Sequence, residues 1–429
     1  MPGAQGVASA APWSAPARVE ACPALEGAQV LFPSDKPERA TGPGALAWQA
    51  SATCAGGEGP RISRIGANDV PGTPATPVAA HGRTSAPAGA LLASTAPHGQ
   101  ILLAGATGGT PTQGLAGSPF TGLGSLSGRP VLATANAYLD DVALATGPPT
   151  GGVELDVERW YGHRVDRSAT ISKSSPQAVR GLTLAMDFRS DALAVWAQSG
   201  SILARDMPAS GPAQRIQHLA PAASRVQIAA LLSDDNRGIA AWSEESGGVV
   251  SVYLDRSAPG VRFHTPTLLE RFPQPDGLAP PSASPRLIRL SSESVMVAWA
   301  GASEGHWVVR AAAIDLLGVG APNTIAAPGT DALLADLVPG PDDDALVLWT
   351  QPQPSPGSPE PPVQSIFAAR GFAAYPRKTV FGQPEQVAPP GPVRDATAAF
   401  DPHGDGALTI WRGANDALEY AIRSPTDGS

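Results

Sequence analysis

One short stretch of the sequence gathers most of the residue types that could carry chemistry. Residues 151–168, GGVELDVERWYGHRVDRS, alternate acidic and apolar side chains and then add aromatic, histidine and arginine residues. In a strand, this alternation would put Glu154, Asp156 and Glu158 on one face. Tyr161 beside a carboxylate such as Glu158 could act in acid–base chemistry, and the aromatic rings could instead stack on a sugar. The candidate binding residues of this stretch are Trp160, Tyr161, His163 and Arg164. A solvated outer strand followed by a polar turn is the alternative, and it would carry no site.

A second set of candidates consists of arginines that precede apolar runs at similar places along the chain. These are Arg180, Arg225, Arg286 and Arg394, with Asp331 in the corresponding place of another run. A guanidinium group can bind a carboxylate through two parallel hydrogen bonds. If the arginines converge, they would form an anion site, for which we take Arg180, Arg225 and Arg394 as binding candidates. One residue type at one repeat position is also what a structural repeat produces, so both interpretations stay open.

The elements that must position these residues come from a repeated unit. The clearest copy, LSDDNRGIAAW at residues 232–242, is a polar turn followed by a short apolar run that closes on a tryptophan. Six copies carry the tryptophan, at Trp48, Trp196, Trp242, Trp299, Trp349 and Trp411. Two weaker copies lack it, GQILLAGA at 99–106 and DDVALATG at 140–147. The spacing averages roughly fifty residues, which is close to the length of a propeller blade.

Each unit can be interpreted as a set of short strands. The turn residues tolerate positive φ, so the two apolar runs around them predict a β-hairpin. A third run often ends in arginine, and a proline-bounded segment supplies a fourth. The repeated tryptophans are expected to fill the space between neighbouring sheets. Residues 71–128, rich in Gly, Pro, Ser and Thr, predict long surface loops or poorly ordered connections around the weak copy at 99–106.

We therefore predict an all-β chain that forms a single β-propeller of seven or eight four-stranded blades. ARVEACP at 17–23 has no partner in the first unit, and the last unit has only three strands. Pairing of these N- and C-terminal strands would close the ring and leave no exposed sheet edge. The propeller would span residues 17–424, between a disordered N-terminal segment at 1–16 and a flexible tail at 425–429.

A hairpin with Asp and Gly in the turn, followed by a strand that ends in Trp, resembles the Asp-box repeats of the sialidase-like propellers. The Asp-box reads Ser-x-Asp-x-Gly-x-Thr-Trp, and the nearest match here uses Ser233, Asp235, Gly238 and Trp242, with two extra residues and no threonine. Sialidases use three arginines to hold a carboxylate, a tyrosine nucleophile activated by a glutamate, and an aspartic acid. For this chain the resemblance implies Tyr161 and Glu158 as catalytic candidates beside the arginines.

Composition narrows the classes of function. Formal net charge is −9 with 16% charged residues, which argues against a nucleic-acid partner. No apolar run approaches the about 18 residues that a membrane-spanning helix needs. Cys22 and Cys54 could form one disulfide or remain two buried thiols. VASAAP at 7–12 looks like the cleavage end of a secretory signal without the regions that should precede it. Either the start codon is placed too late or the match is accidental. We expect a secreted, periplasmic or cell-surface protein with an incomplete signal peptide.

No motif for a nucleotide, a zinc ion or an activated serine occurs in the chain. Acidic turns at 342–344 and 401–406 lack the regular ligand spacing of calcium loops, so we predict no metal and no cofactor. The first hypothesis is a non-enzymatic extracellular propeller, expected to be monomeric, that binds a protein or carbohydrate ligand or serves as a scaffold. The alternative is a sialidase-like hydrolase or lyase that acts on glycans.

Overall fold

The computed structural model describes twenty-five stretches of the chain. These are residues 13–24, 28–31, 44–54, 59–66, 70–74, 91–95, 100–105, 112–115, 121–122, 129–135, 141–147, 156–161, 164–170, 179–233, 235–258, 260, 262–275, 285–290, 294–315, 318–326, 329–340, 343–353, 363–374, 377–400 and 406–424. For the strands between residues 91 and 169 it describes the backbone alone.

The described residues form eight antiparallel sheets, of which the first four follow one another along the chain. A strand β1 (Ala17–Pro23) comes first. The first sheet contains β2 (Gln29–Leu31), β3 (Ala45–Ala50) and β4 (Gly59–Arg64). The second contains β5 (Leu91–Thr95), β6 (Gln100–Gly105), β7 (Thr112–Leu115) and β8 (Thr121–Gly122). The third contains β9 (Arg129–Ala135), β10 (Asp141–Gly147), β11 (Asp156–Tyr161) and β12 (Arg164–Thr170). The fourth contains β13 (Arg180–Met186), β14 (Ala192–Gln198), β15 (Ser201–Met207) and β16 (Gln217–Pro221).

The remaining four sheets continue the same meander. The fifth contains β17 (Arg225–Leu232), β18 (Gly238–Ser246), β19 (Val249–Ala258), β20 (Arg262–Phe263) and β21 (Thr267–Pro273). The sixth contains β22 (Arg286–Arg289), β23 (Val295–Ser303), β24 (His306–Asp315), β25 (Gly318–Val319) and β26 (Asn323–Thr324). The seventh contains β27 (Leu333–Pro339), β28 (Asp344–Gln353), β29 (Val363–Ala374), β30 (Lys378–Phe381) and β31 (Glu385–Gly391). The eighth joins β32 (Arg394–Phe400), β33 (Ala407–Arg412) and β34 (Ala417–Arg423) to β1. A single 3₁₀ turn, Ala414–Asp416, is the one helical segment among these residues.

A recurrent five-residue turn joins the first two strands of several sheets. In the fourth sheet the backbone N–H of Asp187 donates to the carbonyl of Asp191 at 3.0 Å, and Ser233 and Arg237 repeat this bond in the fifth. The fourth residue of each turn has positive φ, 65° at Ser190 and 59° at Asn236. Serine and asparagine occupy this position because short polar side chains tolerate the left-handed region. The hairpins predicted from these polar turns therefore form as expected.

The repeated tryptophans pack between sheets. All six occupy the second strand of their sheet and are buried. Trp299 of β23 lies in one apolar cluster with Ile239 and Val252 of the fifth sheet. Trp48 of β3 likewise shares a cluster with Leu408 of the eighth sheet. Burial of such large rings stabilises the contacts between these sheets.

The first strands of the sheets contact one another in order. β5 lies beside β2 and β9, β13 beside β9 and β17, and β22 beside β17 and β27. β32 contacts both β27 and β2. β1 pairs with β34, with Ala17 opposite Tyr420. The all-β prediction is confirmed, and the sheets have a propeller-like arrangement.

Three expectations need correction or comment. The prediction of loops within residues 71–128 is wrong over β7 and β8, which pair in the second sheet, whereas β6 coincides with the weak copy predicted at 99–106. Residues 156–161 and 164–170, interpreted from the sequence as a candidate site or as a solvated outer strand with a polar turn, are the third and fourth strands of a regular sheet. Trp13, which falls in the segment expected to be disordered, is buried and pairs with Arg423.

Within the described residues, the structure contains no helix of the length and apolarity that crossing a membrane requires.

Candidate functional site

The starts of four first strands line a cavity of about 810 Å³. Arg286 begins β22 and Arg394 begins β32, and both line this cavity together with Asp336 of β27 and Gln29 of β2. Their guanidinium groups are open to solvent, with side chains 47% and 69% exposed. We call this space the central cavity, because it lies among the strands that contact one another in order around the sheets.

Arg286 and Arg394 each form a long ion pair with one carboxylate. Arg286 Nε lies 3.9 Å from Asp336 Oδ1, and Arg394 Nη1 lies 3.7 Å from Asp416 Oδ1. The Thr397 hydroxyl donates a 2.6 Å hydrogen bond to Asp336 Oδ2, which fixes that carboxylate between β27 and β32. Exposed pairs at such distances contribute little free energy. An anionic ligand could therefore replace the weak ion pairs at small cost.

Arg180 and Arg225 line a second cavity, of about 450 Å³, between the fourth and fifth sheets. Arg180 begins β13, and its guanidinium donates to the backbone carbonyls of Ala223 and Ser224. Arg225 begins β17 and lies 3.1 Å from Glu245 Oε2. The first strands thus bring the predicted arginines together in two pairs, with Arg286 and Arg394 in one cavity and Arg180 and Arg225 in the other.

One further arginine follows the same pattern and was not among the sequence candidates. Arg129 begins β9, the first strand of the third sheet. It precedes the apolar run PVLATA, as the other arginines precede theirs, so the same signal could have identified it.

Asp331, predicted at the corresponding place of another run, has another role, because its Oδ1 accepts the backbone N–H of Trp307 at 2.9 Å.

The residues predicted from the stretch 151–168 lie in the third sheet. Glu158, Trp160 and Tyr161 belong to β11, and Arg164 begins β12. Tyr161 pairs with Asp141, while Arg129 at the start of β9 pairs with Gly147, the opposite end of the shared strand β10. Tyr161 and the start of β9 are therefore at opposite ends of this sheet. The side chains of these residues, and His163 as a whole, lie outside the described part of the structure, so their roles stay predictions.

The pairing of Cys22 with Cys54 also stays a prediction, since the Cys22 side chain is outside the described ones. Cys22 belongs to β1, and Cys54 is buried shortly after β3. Ala24 forms a bridge with Ala50, so the backbone brings the two cysteine-bearing segments side by side.

Three buried aspartates form a separate cluster at the turn of the fourth sheet. The pKa of Asp206 is raised to about 7 and that of Asp187 to about 6, mainly by burial and also by the charge of Asp191. Asp187 Oδ1 accepts the backbone N–H groups of Arg189 and Asp191, each at 2.9 Å. Within the described residues no group of three or more metal-ligating side chains is arranged to hold a metal ion.

No protein-family model matches the chain, and no curated protein matches it. Solved structures with similar backbones include one from a study of two prolyl endopeptidases, 12% identical with a TM-score of 0.44, over 77% of this chain and 49% of that one. Prolyl oligopeptidase B from Galerina marginata is 10% identical with a TM-score of 0.45, over 95% of this chain and 50% of that one. A neuraminidase-like protein of an A/flat-faced bat strain from Peru is 9% identical with a TM-score of 0.36, over 69% and 87%. The chain spans about half the length of the first two. Similarity at this level implies nothing about activity.

Proposed function

We propose that this chain is a non-enzymatic, extracellular β-propeller of eight blades that binds an anionic group of a glycan or protein partner at its central cavity. The blade number rests on the eight sheets formed by the described residues. Closure of the ring is supported by the contact of β32 with β2 and by the pairing of β1 with β34.

The observation that carries the binding site is the exposure of Arg286 and Arg394 in one cavity of about 810 Å³. The whole chain is acidic, with a formal net charge of −9. The exposed arginines at the starts of first strands are therefore opposite in sign to the net charge of the chain and would attract an anion locally. The neighbouring side chains of Gln29, Thr350 and Gln364 line the same cavity and could bind the polar remainder of the ligand.

Catalysis is the weaker hypothesis on this geometry. A sialidase-like mechanism needs a tyrosine and a glutamate beside the arginines, and Tyr161 and Glu158 belong to the third strand of the third sheet. The described lining of the central cavity consists of arginine, aspartate, threonine, glutamine and aliphatic side chains. These groups can hold a carboxylate or sulfate, which is the chemistry of a binding module.

The test is binding of the purified full chain to an array of acidic glycans and acidic peptides, with Arg286→Gln/Arg394→Gln beside it. We expect the double variant to lose at least tenfold in affinity for the anionic ligands that the parent binds. Arg271→Gln, on the outer strand of the fifth sheet, is the matched control and should bind as the parent does. Equal binding by the double variant, or release of a fluorophore from a fluorogenic sialoside, would contradict the proposal.

A further inference from the structure

A cleft of about 370 Å³ lies between the fifth and sixth sheets, away from the central cavity. The turn between β17 and β18 forms one side of the cleft. Arg225, which lines the second arginine cavity, is at the opposite end of β17 from this turn. Four buried aliphatic side chains form its apolar surface: Ile239, Leu254, Val295 and Ile314. A volume of this order, with an apolar surface and a few polar groups, is typical of small-molecule sites.

Three aspartates and two arginines line the cleft, and a third arginine, Arg377, lies outside the lining beside Asp315, so the charges are equal in number only when Arg377 is included. Arg237 Nε lies 2.6 Å from Asp235 Oδ2, and Asp315 Oδ2 lies 3.8 Å from Arg377 Nε across the cleft wall. Arg256 donates a 2.6 Å hydrogen bond to the backbone carbonyl of Asp315 and stands next to the remaining carboxylate, Asp255. Because each cation has an acidic neighbour, the cleft with Arg377 included offers hydrogen bonds without a net charge.

Asp255 is a buried acidic residue of the cleft lining with one oxygen that has no partner among the described residues. Its side chain is 2% exposed, and Oδ1 accepts the backbone N–H groups of Arg256 at 2.7 Å and His264 at 3.3 Å. Oδ2 is buried and has no hydrogen-bond partner in the described structure. A buried oxygen without a partner is costly, so a ligand hydroxyl that donates to Oδ2, once the side chain turns toward the cleft, would stabilise the site. Burial also raises the pKa of this carboxyl group, against the effect of its two backbone hydrogen bonds.

The rim of the cleft supplies further hydrogen-bonding groups. His264, Thr265 and Thr267 are exposed and surround the opening. A ligand would therefore contact aliphatic carbon on its inner face and hydroxyl or imidazole groups at its edge. A sugar ring has this division, with C–H groups on its faces and hydroxyl groups around its edge.

We propose that the cleft between the fifth and sixth sheets binds a neutral, hydroxylated ligand the size of one sugar ring, with Asp255 as its principal hydrogen-bonding residue. The apolar surface takes one face of the ring, and a ring hydroxyl donates to Asp255. This site is independent of the anion site proposed for the central cavity.

The proposal is tested by saturation-transfer NMR on the purified full chain with D-glucose, D-galactose, D-mannose, L-fucose and N-acetyl-D-glucosamine, each titrated separately. We expect saturable binding of at least one of them. Asp255→Ala should weaken it by about tenfold or more. Because that variant removes a buried group and could unfold the chain, Thr267→Trp provides a second test, since a large ring at this exposed position would block the opening.

Arg286→Gln/Arg394→Gln is the control, and its binding of the neutral sugar should equal that of the parent. Failure of that variant to bind acidic glycans would leave the cleft proposal unaffected, so the two proposals can fail separately. Absence of binding for all five sugars overturns the cleft proposal, as does unchanged binding by Thr267→Trp. Binding of N-acetylneuraminic acid alone at the cleft would overturn the requirement for a neutral ligand.

Discussion

The indole Nε1 of Trp299 donates a 2.6 Å hydrogen bond to Oε2 of Glu270, a residue of the preceding sheet. Oε1 of the same carboxylate accepts from Arg310 Nε at 2.9 Å, and Arg310 lies in the sixth sheet with Trp299. One half-buried glutamate thus joins the fifth sheet to the sixth by two hydrogen bonds. The tryptophan at this boundary both fills space and connects the sheets.

Glu270→Gln should lower the free energy of unfolding by about 1–3 kcal/mol, because either the Trp299 N–H or the Arg310 guanidinium loses its charged acceptor. Urea denaturation followed by tryptophan fluorescence measures the change. Glu304→Gln, on an exposed turn of the sixth sheet, is the matched control and should stay within about 0.5 kcal/mol of the parent. An equal effect of the two substitutions would show that Glu270 does not connect the sheets energetically.

Trp299 and Trp242 should respond differently to phenylalanine. Trp242 Nε1 is buried without a hydrogen-bond partner in the described structure, whereas Trp299 Nε1 has Glu270. Both substitutions remove the same ring atoms, but only Trp299→Phe leaves a carboxylate short of its donor. We expect Trp299→Phe to destabilise by about 1–2 kcal/mol more than Trp242→Phe. The same denaturation experiment compares them, and a larger loss for Trp242→Phe would be inconsistent with this reasoning.

Stability should depend on the protonation of Asp206 and Asp187. Their pKa values rise from 3.8 to about 7 and about 6 on folding, mainly through burial. A carboxyl group whose pKa is raised in the folded state stabilises the fold fully below its unfolded pKa and loses that contribution as pH rises through the folded pKa. The contribution of this cluster is therefore present near pH 4 and lost between about pH 4 and pH 7.

Asp206→Asn keeps the size of the side chain and removes its titration. Relative to the parent, its free energy of unfolding should rise by a few kcal/mol (order of magnitude) between pH 4 and pH 8. Using the difference between the two proteins removes the effect of other carboxylates that titrate in the same range. Asp416→Asn, at an exposed position, serves as the control. A difference that is flat with pH would mean that folding does not raise the pKa of Asp206.

Reduction should lower the melting temperature if Cys22 and Cys54 are bonded. The bond would fix β1 to the turn after β3 and contribute about 3–4 kcal/mol through restriction of the unfolded chain. Calorimetry with and without a thiol reductant measures the effect. With or without reductant, Cys22→Ser/Cys54→Ser should melt at the same temperature as the parent protein in the presence of reductant. An unchanged melting temperature on reduction would show that the cysteines are two buried thiols.

The local units of this fold could be predicted from the sequence because they depend on nearby residues. The turn at Ser233–Arg237 needs a residue that tolerates positive φ at Asn236 and a polar side chain at Ser233 that bonds its own backbone, and both are visible in SDDNRG. The tryptophans likewise identify, from the sequence, the second strand of each of the six sheets that contain them. The arginine positions could also be read directly, and Arg129 was missed only because its unit lacks a tryptophan.

The second sheet could be predicted only in part: the weak copy at 99–106 contains β6, but the outer strands have no strong preference of their own. TQGL at β7 and TG at β8 contain two glycines and little apolar surface, and they become strands by pairing with β6 and with each other. The cleft was likewise invisible in the sequence. In the sequence, Asp255 is one acidic residue near the end of VSVYLDR. Its burial depends on the packing of the sixth sheet against the fifth.

The pairing of Ala17 with Tyr420 sets an order of events for biosynthesis. The ribosome adds about 5–20 residues per second, so β1 emerges on the order of a minute before its partner strand exists. During that interval ARVEACP is an unpaired strand that other nascent chains could join. The eighth sheet can therefore be completed only after Ala417–Arg423 has left the ribosome.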